Sequence, residues 1–225
     1  MKFLINSIMV RRYWQSSDVE QVITLSALFS ISLVLFRIAY TGQTLFLFMV
    51  WNLFLAWVPF AISRWLSAHY QISKKWKTVM AAVGWLLFVP NAFYLITDLF
   101  HLDMNESVPL WFDLALLLSF AWSGLLFGIV SVRHMEKLIE SRGRGWLASV
   151  FVPVVMVLNS FGVYIGRYLR FNSWDIITNP LRLFDDTMYL FLHPVRSRFE
   201  WSMIICYTVL LSLMYYTIKK LSKVL

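Results

Sequence analysis

Four polar side chains follow helical spacing near the end of one apolar segment, in the order Asn91, Tyr94, Asp98 and His101. Intervals of three and four residues place all four on one face of a helix. A carboxylate and an imidazole one turn apart can exchange protons with a substrate, so Asp98 and His101 are the candidate catalytic residues. Pro90 removes one backbone hydrogen bond just before them, and the resulting kink either opens a polar pocket or serves helix packing.

A second polar segment supplies arginine. Arg167, Arg170 and Trp174 share a helix face by the same spacing. Arginine is suited to bidentate binding of carboxylate or phosphate. In one interpretation, Asp98 or Asp113 pairs with one of these arginines and ties helix ends together. In the other, the arginines hold an anion while the Asp98 segment transfers a proton. Asp113 can also serve as a dipole partner at the start of its own helix.

Three asparagines lie inside apolar segments: Asn52, Asn91 and Asn159. At about 1.5 Å of rise per residue, each lies about 10 Å below the same membrane face. An amide that faces lipid is costly, so the three should face one another, as hydrogen bonds between helices, or a polar cavity. The predicted substrate-binding residues are therefore Arg167, Arg170, Asn91, Asp113, Asn172, Trp174, Asp175, Asn52 and Asn159.

Metal and cofactor chemistry receive little support from the sequence. Asp98, His101 and Asp103 could approach a divalent ion, with His193 as a remote addition, but the spacing specifies no third ligand and we predict no metal site. The signatures HExxH, GxSxG, GxGxxG and the P-loop do not occur, so no reaction class follows and the cofactor stays open. The single cysteine, Cys206, excludes a disulfide within the chain.

The composition indicates a membrane protein. The 225 residues are 60% hydrophobic and 14% charged, with a mean hydropathy of +0.67. Soluble domains are about 45–50% apolar and about 25% charged. Most of the surface must therefore meet lipid, and the bilayer is the expected partner. The net charge of +8 can be assigned to loops, so we expect no nucleic-acid partner.

Six apolar segments are long enough to span a bilayer. They are predicted at residues 19–40, 44–63, 78–97, 110–132, 146–166 and 201–218. Residues 181–192 predict an amphipathic helix on the outer surface, preceded by Pro180. The predicted fold class is thus an all-α integral membrane protein with six transmembrane helices plus this outer helix, forming one membrane domain over residues 1–225.

The basic residues predict the orientation. With six spans both termini lie on one side, and every lysine falls on that side. The positive-inside rule therefore places both termini in the cytoplasm. Arg37, Arg167 and Arg170 remain on the outer side, where this rule disfavours them, so another demand must keep them there.

Four stretches of the chain resemble a known family, the domain of unknown function 1361. They read WNLFLAWVP at 51–59, WLLFVPNAFYLITDLFHL at 85–102, WFDLALLLSFAWSGLLFG at 111–128 and GVYIGRYLRFNSWDI at 162–176. The family's usual Pro-Asn-Ala-Pro-Tyr has Phe93 in place of its second proline here, which argues against a double-proline kink. The resemblance implies a bacterial multi-pass inner-membrane protein and brings no established activity.

Three functions remain open. The first is an enzyme or assembly factor that acts at the outer face on an anionic or lipid-linked substrate. The second is a transporter or channel for a small solute, and the third is a non-catalytic protein that binds a membrane partner. Clustered polar residues at one face favour a site over a path, while a polar stripe at Ser119, Ser123 and Ser131 would favour a path. The oligomeric state is not predicted.

Overall fold

The computed structural model describes residues 2–69, 74–102, 107–143, 145–171 and 178–224. All regular secondary structure within those ranges is helical. The helices are α1 (Lys2–Thr41), α2 (Phe48–His69), α3 (Lys75–Tyr94), α4 (Leu110–Glu140), α5 (Gly145–Arg167), α6 (Pro180–Leu192) and α7 (Arg198–Val224), and a 3₁₀ segment (Leu95–His101) continues α3. Six helices in the described part of the chain are long and apolar enough to cross a membrane, which confirms the predicted fold class.

Helix α4 is longer than the apolar segment that predicts it. The basic residues after the predicted fourth span indicate a loop from Arg133 to Gly145, and this prediction is wrong for residues 133–140, which form the last two turns of the helix. Arg133 pairs there with Glu136 three residues on and with Glu140 at 3.5 Å. Ion pairs along one helix face stabilise turns that hydropathy alone does not reveal.

The predicted amphipathic helix is α6, and Pro180 occupies its start. Leu190 is buried beside Phe161 of α5 and Trp201 of α7, whose indole nitrogen donates a 3.2 Å hydrogen bond to the Leu190 carbonyl. Leu181 lies on the exposed part of the helix. A short helix with one anchored residue and exposed apolar side chains is typical of a membrane–water interface.

Helix α3 packs against α4 through two glycines. A Cβ atom at Gly124 would lie 2.6 Å from the Ala92 carbonyl oxygen, and one at Gly128 would lie 2.8 Å from the Phe93 ring. No side chain fits at either position without displacing a neighbour. The close approach of the two backbones therefore depends on these glycines, as the Gly-xxx-Gly spacing predicts.

The opposite side of α3 meets a second pair of glycines. A Cβ atom at Gly162 of α5 would lie 2.6 Å from the Pro90 ring, and one at Gly166 would lie 3.3 Å from the Tyr94 ring. The Pro90–Tyr94 turn is thus held between two small-residue faces. This packing positions the end of α3 and the 3₁₀ segment that follows.

Buried serines join α4 to its neighbours within the bundle. The hydroxyl of Ser123 lies 2.8 Å from that of Ser26 on α1. Nearer the Glu140 end, Ser131 accepts a 2.6 Å hydrogen bond from the Trp85 indole and donates one to the Pro59 carbonyl. These hydroxyls therefore stabilise contacts between helices.

A buried carboxylate joins α4 to α7 at the end of the bundle opposite Asp98. Glu136 is 3% exposed and accepts hydrogen bonds from Tyr215 at 2.6 Å and Lys219 at 2.5 Å, besides its contact with Arg133. Both oxygens of this acid thus accept hydrogen bonds, which offsets the cost of burying its charge.

Candidate functional site

Asp98 lies in the 3₁₀ segment and is fully buried. Its Oδ2 accepts a 3.2 Å hydrogen bond from the Asn52 amide of α2. Its Oδ1 lies 3.4 Å from Nη1 of Arg167, the last residue of α5. Three elements that are distant in sequence therefore meet at one carboxylate.

Arg167 is the centre of this site. The same Nη1 lies 3.4 Å from the Tyr94 hydroxyl and 3.2 Å from His101 Nε2. The guanidinium carbon lies 5.9 Å from the centroid of the Tyr94 ring and 5.3 Å from that of Phe100, within range of cation–π attraction. We call Asn52, Tyr94, Asp98, His101 and Arg167 the Arg167 cluster.

The contact with arginine defines the state of His101. A guanidinium has only donors, so the Nε2 atom that faces it must accept. A histidine that accepts at Nε2 is a neutral imidazole with its proton on Nδ1. The geometry therefore places an unprotonated ring nitrogen 3.2 Å from Arg167, which is the form that a general base requires.

The backbone brings Asp98 and His101 together by a route that the sequence did not predict. Their spacing was interpreted as one α-helical face, but the helix tightens to 3₁₀ geometry at Leu95. Side chains three residues apart are eclipsed in a 3₁₀ helix. Asp98 and His101 consequently point toward Arg167 together, and the Thr97 hydroxyl donates 2.7 Å to the Tyr94 carbonyl at the junction.

A cavity of about 220 Å³ adjoins the Arg167 cluster between α2, α3 and α5. Its polar lining consists of Asn52, Asn91 and Tyr94, and the rest is apolar side chain or glycine. Asn52 and Tyr94 each line the cavity and also contact the cluster, through Asp98 and Arg167 respectively. The cluster therefore closes one end of a largely apolar space.

The prediction that Asp113 joins this site is wrong. Asp113 lies in the first turn of α4 and pairs with Arg37 of α1. The two side chains are almost completely buried and meet in bidentate fashion, with Nε–Oδ1 and Nη2–Oδ2 distances of 2.7 and 3.1 Å. Because α1 packs beside α4 and supplies its own arginine, Asp113 is already neutralised away from the Arg167 cluster.

The predicted face shared by Arg167 and Arg170 does not form either. Helix α5 ends at Arg167, and Arg170 takes a left-handed backbone conformation with φ of 59°. Its side chain is exposed and pairs with no acid in the described part of the chain. An interval of three residues aligns side chains only within a helix, so it does not place Arg170 beside Arg167 here. Three further predicted residues, Asn172, Trp174 and Asp175, lie outside the described residues.

The three predicted asparagines separate into two groups. Asn52 and Asn91 line the cavity, and Asn91 donates a 3.0 Å hydrogen bond to the Phe88 carbonyl. Asn159 is fully buried, and no described residue hydrogen-bonds its amide. It lies about 12 Å below Arg167 along α5, at about 1.5 Å per residue, whereas the cavity wall on that helix begins at Gly162. The predicted third position in the floor is therefore wrong.

The sequence did not predict three residues that contribute to the site or to buried ion pairs. Phe100 carries no polar atom and gave no signal. Arg37 was noted only as a cation on the disfavoured side, and an arginine inside an apolar helix does predict a buried acidic partner. Glu136 lies beyond the predicted fourth span, although Arg133, three residues before it, stands at the spacing of a helical ion pair. Among the described residues, no group of three His, Cys, Asp or Glu side chains could hold a metal ion.

The helical fold, the spanning lengths and the buried ion pairs define a multi-pass α-helical membrane protein. The chain matches the family described as Protein of unknown function (DUF1361) over residues 51–214 and belongs to that family. No curated protein and no solved structure gives a significant match. The matched region includes every residue of the Arg167 cluster, whereas Arg37 precedes it.

Proposed function

We propose that the protein is an enzyme or assembly factor that binds an anionic or lipid-linked substrate at the non-cytoplasmic face of a bacterial inner membrane, with both termini in the cytoplasm. One observation carries the proposal. Among the described residues, Arg167 donates hydrogen bonds through Nη1 alone, and none of them accepts from its Nε or Nη2. The side chain is 15% exposed, so the free edge of the guanidinium is accessible to an oxyanion.

The two arginine–aspartate pairs of the bundle support this assignment by contrast. Arg37 uses two nitrogens on Asp113, at 2.7 and 3.1 Å, as expected of a structural pair. Arg167 meets Asp98 through one nitrogen at 3.4 Å, well beyond the roughly 2.7–2.9 Å of a strong charge-assisted bond. Asp98 therefore orients Arg167 through Nη1 and leaves its Nε and Nη2 donors open.

The residues then take distinct roles. Arg167 binds the anionic group, Asp98 holds the arginine in place, and Asn52 in turn orients the Asp98 carboxylate. His101 Nε2 accepts from Arg167 through its single lone pair, so it takes the proton of a substrate hydroxyl or bound water once the guanidinium turns to the bound anion and releases it. The carboxylate of Asp98 also offsets the positive charge of Arg167.

The transport alternative receives less support from the same structure. A path would require polar groups that face water across the bundle. Ser119 donates to the Leu116 carbonyl, and Ser123 and Ser131 are bonded to other helices. The expected serine stripe is therefore used in packing, which favours a site at one end.

Bound lipid tests the proposal directly. The protein is purified into nanodiscs made from native membranes, and co-purifying anionic lipids are identified and counted by native mass spectrometry. We expect Arg167→Gln to reduce their occupancy by at least about tenfold, since a charge-assisted hydrogen bond contributes about 1.5–3 kcal/mol. Arg64→Gln is the matched control, because Arg64 pairs with Glu20 on the surface toward the other end of α2.

Two outcomes would contradict the proposal. The first is equal anionic-lipid occupancy in Arg167→Gln and the wild type. The second is loss of melting temperature in Arg167→Gln and Arg167→Lys to the same extent as loss of lipid, which would make the arginine a packing residue. We expect Arg167→Lys to melt normally and still bind weakly, because lysine keeps the charge and lacks the fork.

A further inference from the structure

We infer that the substrate is an amphiphile with one hydrocarbon chain seated in the cavity between α2, α3 and α5, and with its anionic group on Arg167. The inference rests on the proposed anion site and names the class of molecule that the site takes. It follows from the lining of the cavity, its size, its opening and its distance from the guanidinium.

The lining combines apolar and polar side chains. Leu55, Pro90, Ile165 and Leu183 contribute apolar surface, whereas Asn52 and Tyr94 line the cavity and also contact the Arg167 cluster. A ligand that matches both parts must be apolar over one portion and polar at its end. A small hydrophilic anion would leave the apolar wall unused, and a pure hydrocarbon would not use the guanidinium edge of Arg167.

The size restricts the apolar portion. A volume of about 220 Å³ is below the roughly 300–1,000 Å³ of pockets that enclose a whole organic ligand. It accommodates part of one alkyl chain and cannot enclose two chains side by side. The remainder of the ligand must extend into the surrounding bilayer.

The cavity opens to the side, toward lipid. Leu86 and Leu87 both line it, and each is 39% exposed on a membrane-spanning helix. Exposed leucine on such a helix faces hydrocarbon. A chain can therefore enter from the bilayer without passing through water.

The polar end of the ligand reaches Arg167 from this position. Gly166 lines the cavity and is adjacent to Arg167 in the chain. The guanidinium carbon lies 5.9 Å from the ring centroid of Tyr94, which is itself part of the wall. A phosphate or carboxylate at the end of a seated chain is then within hydrogen-bonding reach of the free guanidinium edge.

A chain-length series tests the inference. The full-length protein in phosphatidylcholine nanodiscs is titrated with inorganic phosphate, butyl phosphate, dodecyl phosphate and phosphatidic acid, and bound adducts are counted by native mass spectrometry against protein-free nanodiscs. We expect dodecyl phosphate to bind at least about tenfold more tightly than butyl phosphate, because additional methylenes leave water at about 0.8 kcal/mol each. Binding of phosphatidic acid then shows whether a lipid with two chains also binds by placing one of them in the cavity.

Cavity-filling variants provide the second measurement. Leu55→Trp and Leu87→Trp should each remove the advantage of dodecyl over butyl phosphate, while Leu118→Trp on the exposed face of α4 should keep it. If dodecyl and butyl phosphate bind equally and both need Arg167, the inference fails while the anion site stands. If no phosphate shows a dependence on Arg167, the proposed function fails. If one of the two cavity-filling variants does not fold, the other variant provides the test of chain binding.

Discussion

At the scale of single residues, the protein uses arginine and aspartate in two different ways. The Arg37–Asp113 pair is bidentate and nearly inaccessible to solvent, so its role is to stabilise the fold. The Arg167–Asp98 contact is single and long, and the arginine reaches the surface. The same two residue types therefore serve as a tie between α1 and α4 in one place and as an oriented donor in the other.

This difference predicts unequal costs of neutralising the two acids. Asp113→Asn leaves the buried Arg37 charge without a counter-ion and should lower the free energy of unfolding by about 3–5 kcal/mol. Asp98→Asn should cost less, about 1–2 kcal/mol, because Arg167 can turn its charge toward solvent. The measurement is unfolding in detergent micelles by added denaturant.

Glu20→Gln is the control for these variants, since the Glu20–Arg64 pair is exposed and should contribute about 1 kcal/mol or less. Replacing both Arg37 and Asp113 with Met and Leu should restore most of the stability, because no buried charge remains. A double variant as unstable as Asp113→Asn alone would argue against this account.

At the scale of elements, the site depends on where α3 ends and how closely its neighbours approach. Two glycines on each side let α4 and α5 contact the Pro90–Tyr94 turn. Beyond this turn the chain tightens into the 3₁₀ segment that carries Asp98 and His101. A shift of α3 by even one residue would rotate both side chains away from Arg167.

Gly128→Val tests this packing. The added Cβ would lie 2.8 Å from the Phe93 ring, so we expect a loss of about 1–3 kcal/mol in the free energy of unfolding. A second substitution, Phe93→Leu, should recover part of it by making room. Gly145→Ala is the matched control, because nothing lies within 4 Å of a Cβ at that position. Equal effects at both glycines would show that the contact with Phe93 does not matter.

At the scale of the whole molecule, the two ends of the bundle carry different chemistry. One end has the Arg167 cluster beside a cavity, and the other has Glu136 satisfied by donors from α4 and α7. The middle of α4 is bonded to α1, α2 and α3 through serines. The asymmetry suits a protein that binds its ligand at one membrane face.

The proposed orientation makes this asymmetry testable. In a Cys206→Ser background, a cysteine at Ser107 should react with a membrane-impermeant maleimide in intact cells. A cysteine at Ser141, at the opposite end of α4, should react only after the membrane is permeabilised. The reverse pattern would place the Arg167 cluster in the cytoplasm and exclude the proposed face.

Much of the architecture could be predicted because hydrophobic length is a local property. The spans and α6 follow from runs of apolar residues and from their spacing, and lipid contact requires no information about partners. The Asp98 and His101 face also followed from the sequence, since an interval of three residues aligns side chains in α and 3₁₀ helices alike. Hydrophobic length did not place the end of α4 at Glu140, because its last two turns depend on ion pairs.

The pairing of charges was decided by the tertiary structure alone. Spacing shows that Asp98 and Asp113 lie near one membrane face and that several arginines lie there too, but it carries no distance between helices. Packing of α1 against α4 assigns Arg37 to Asp113, and packing of α5 against α3 assigns Arg167 to Asp98. The sequence by itself therefore determined which groups reach that face. The three-dimensional arrangement of helices decided which of them meet, because Coulomb and hydrogen-bond energies depend on separations of a few ångströms.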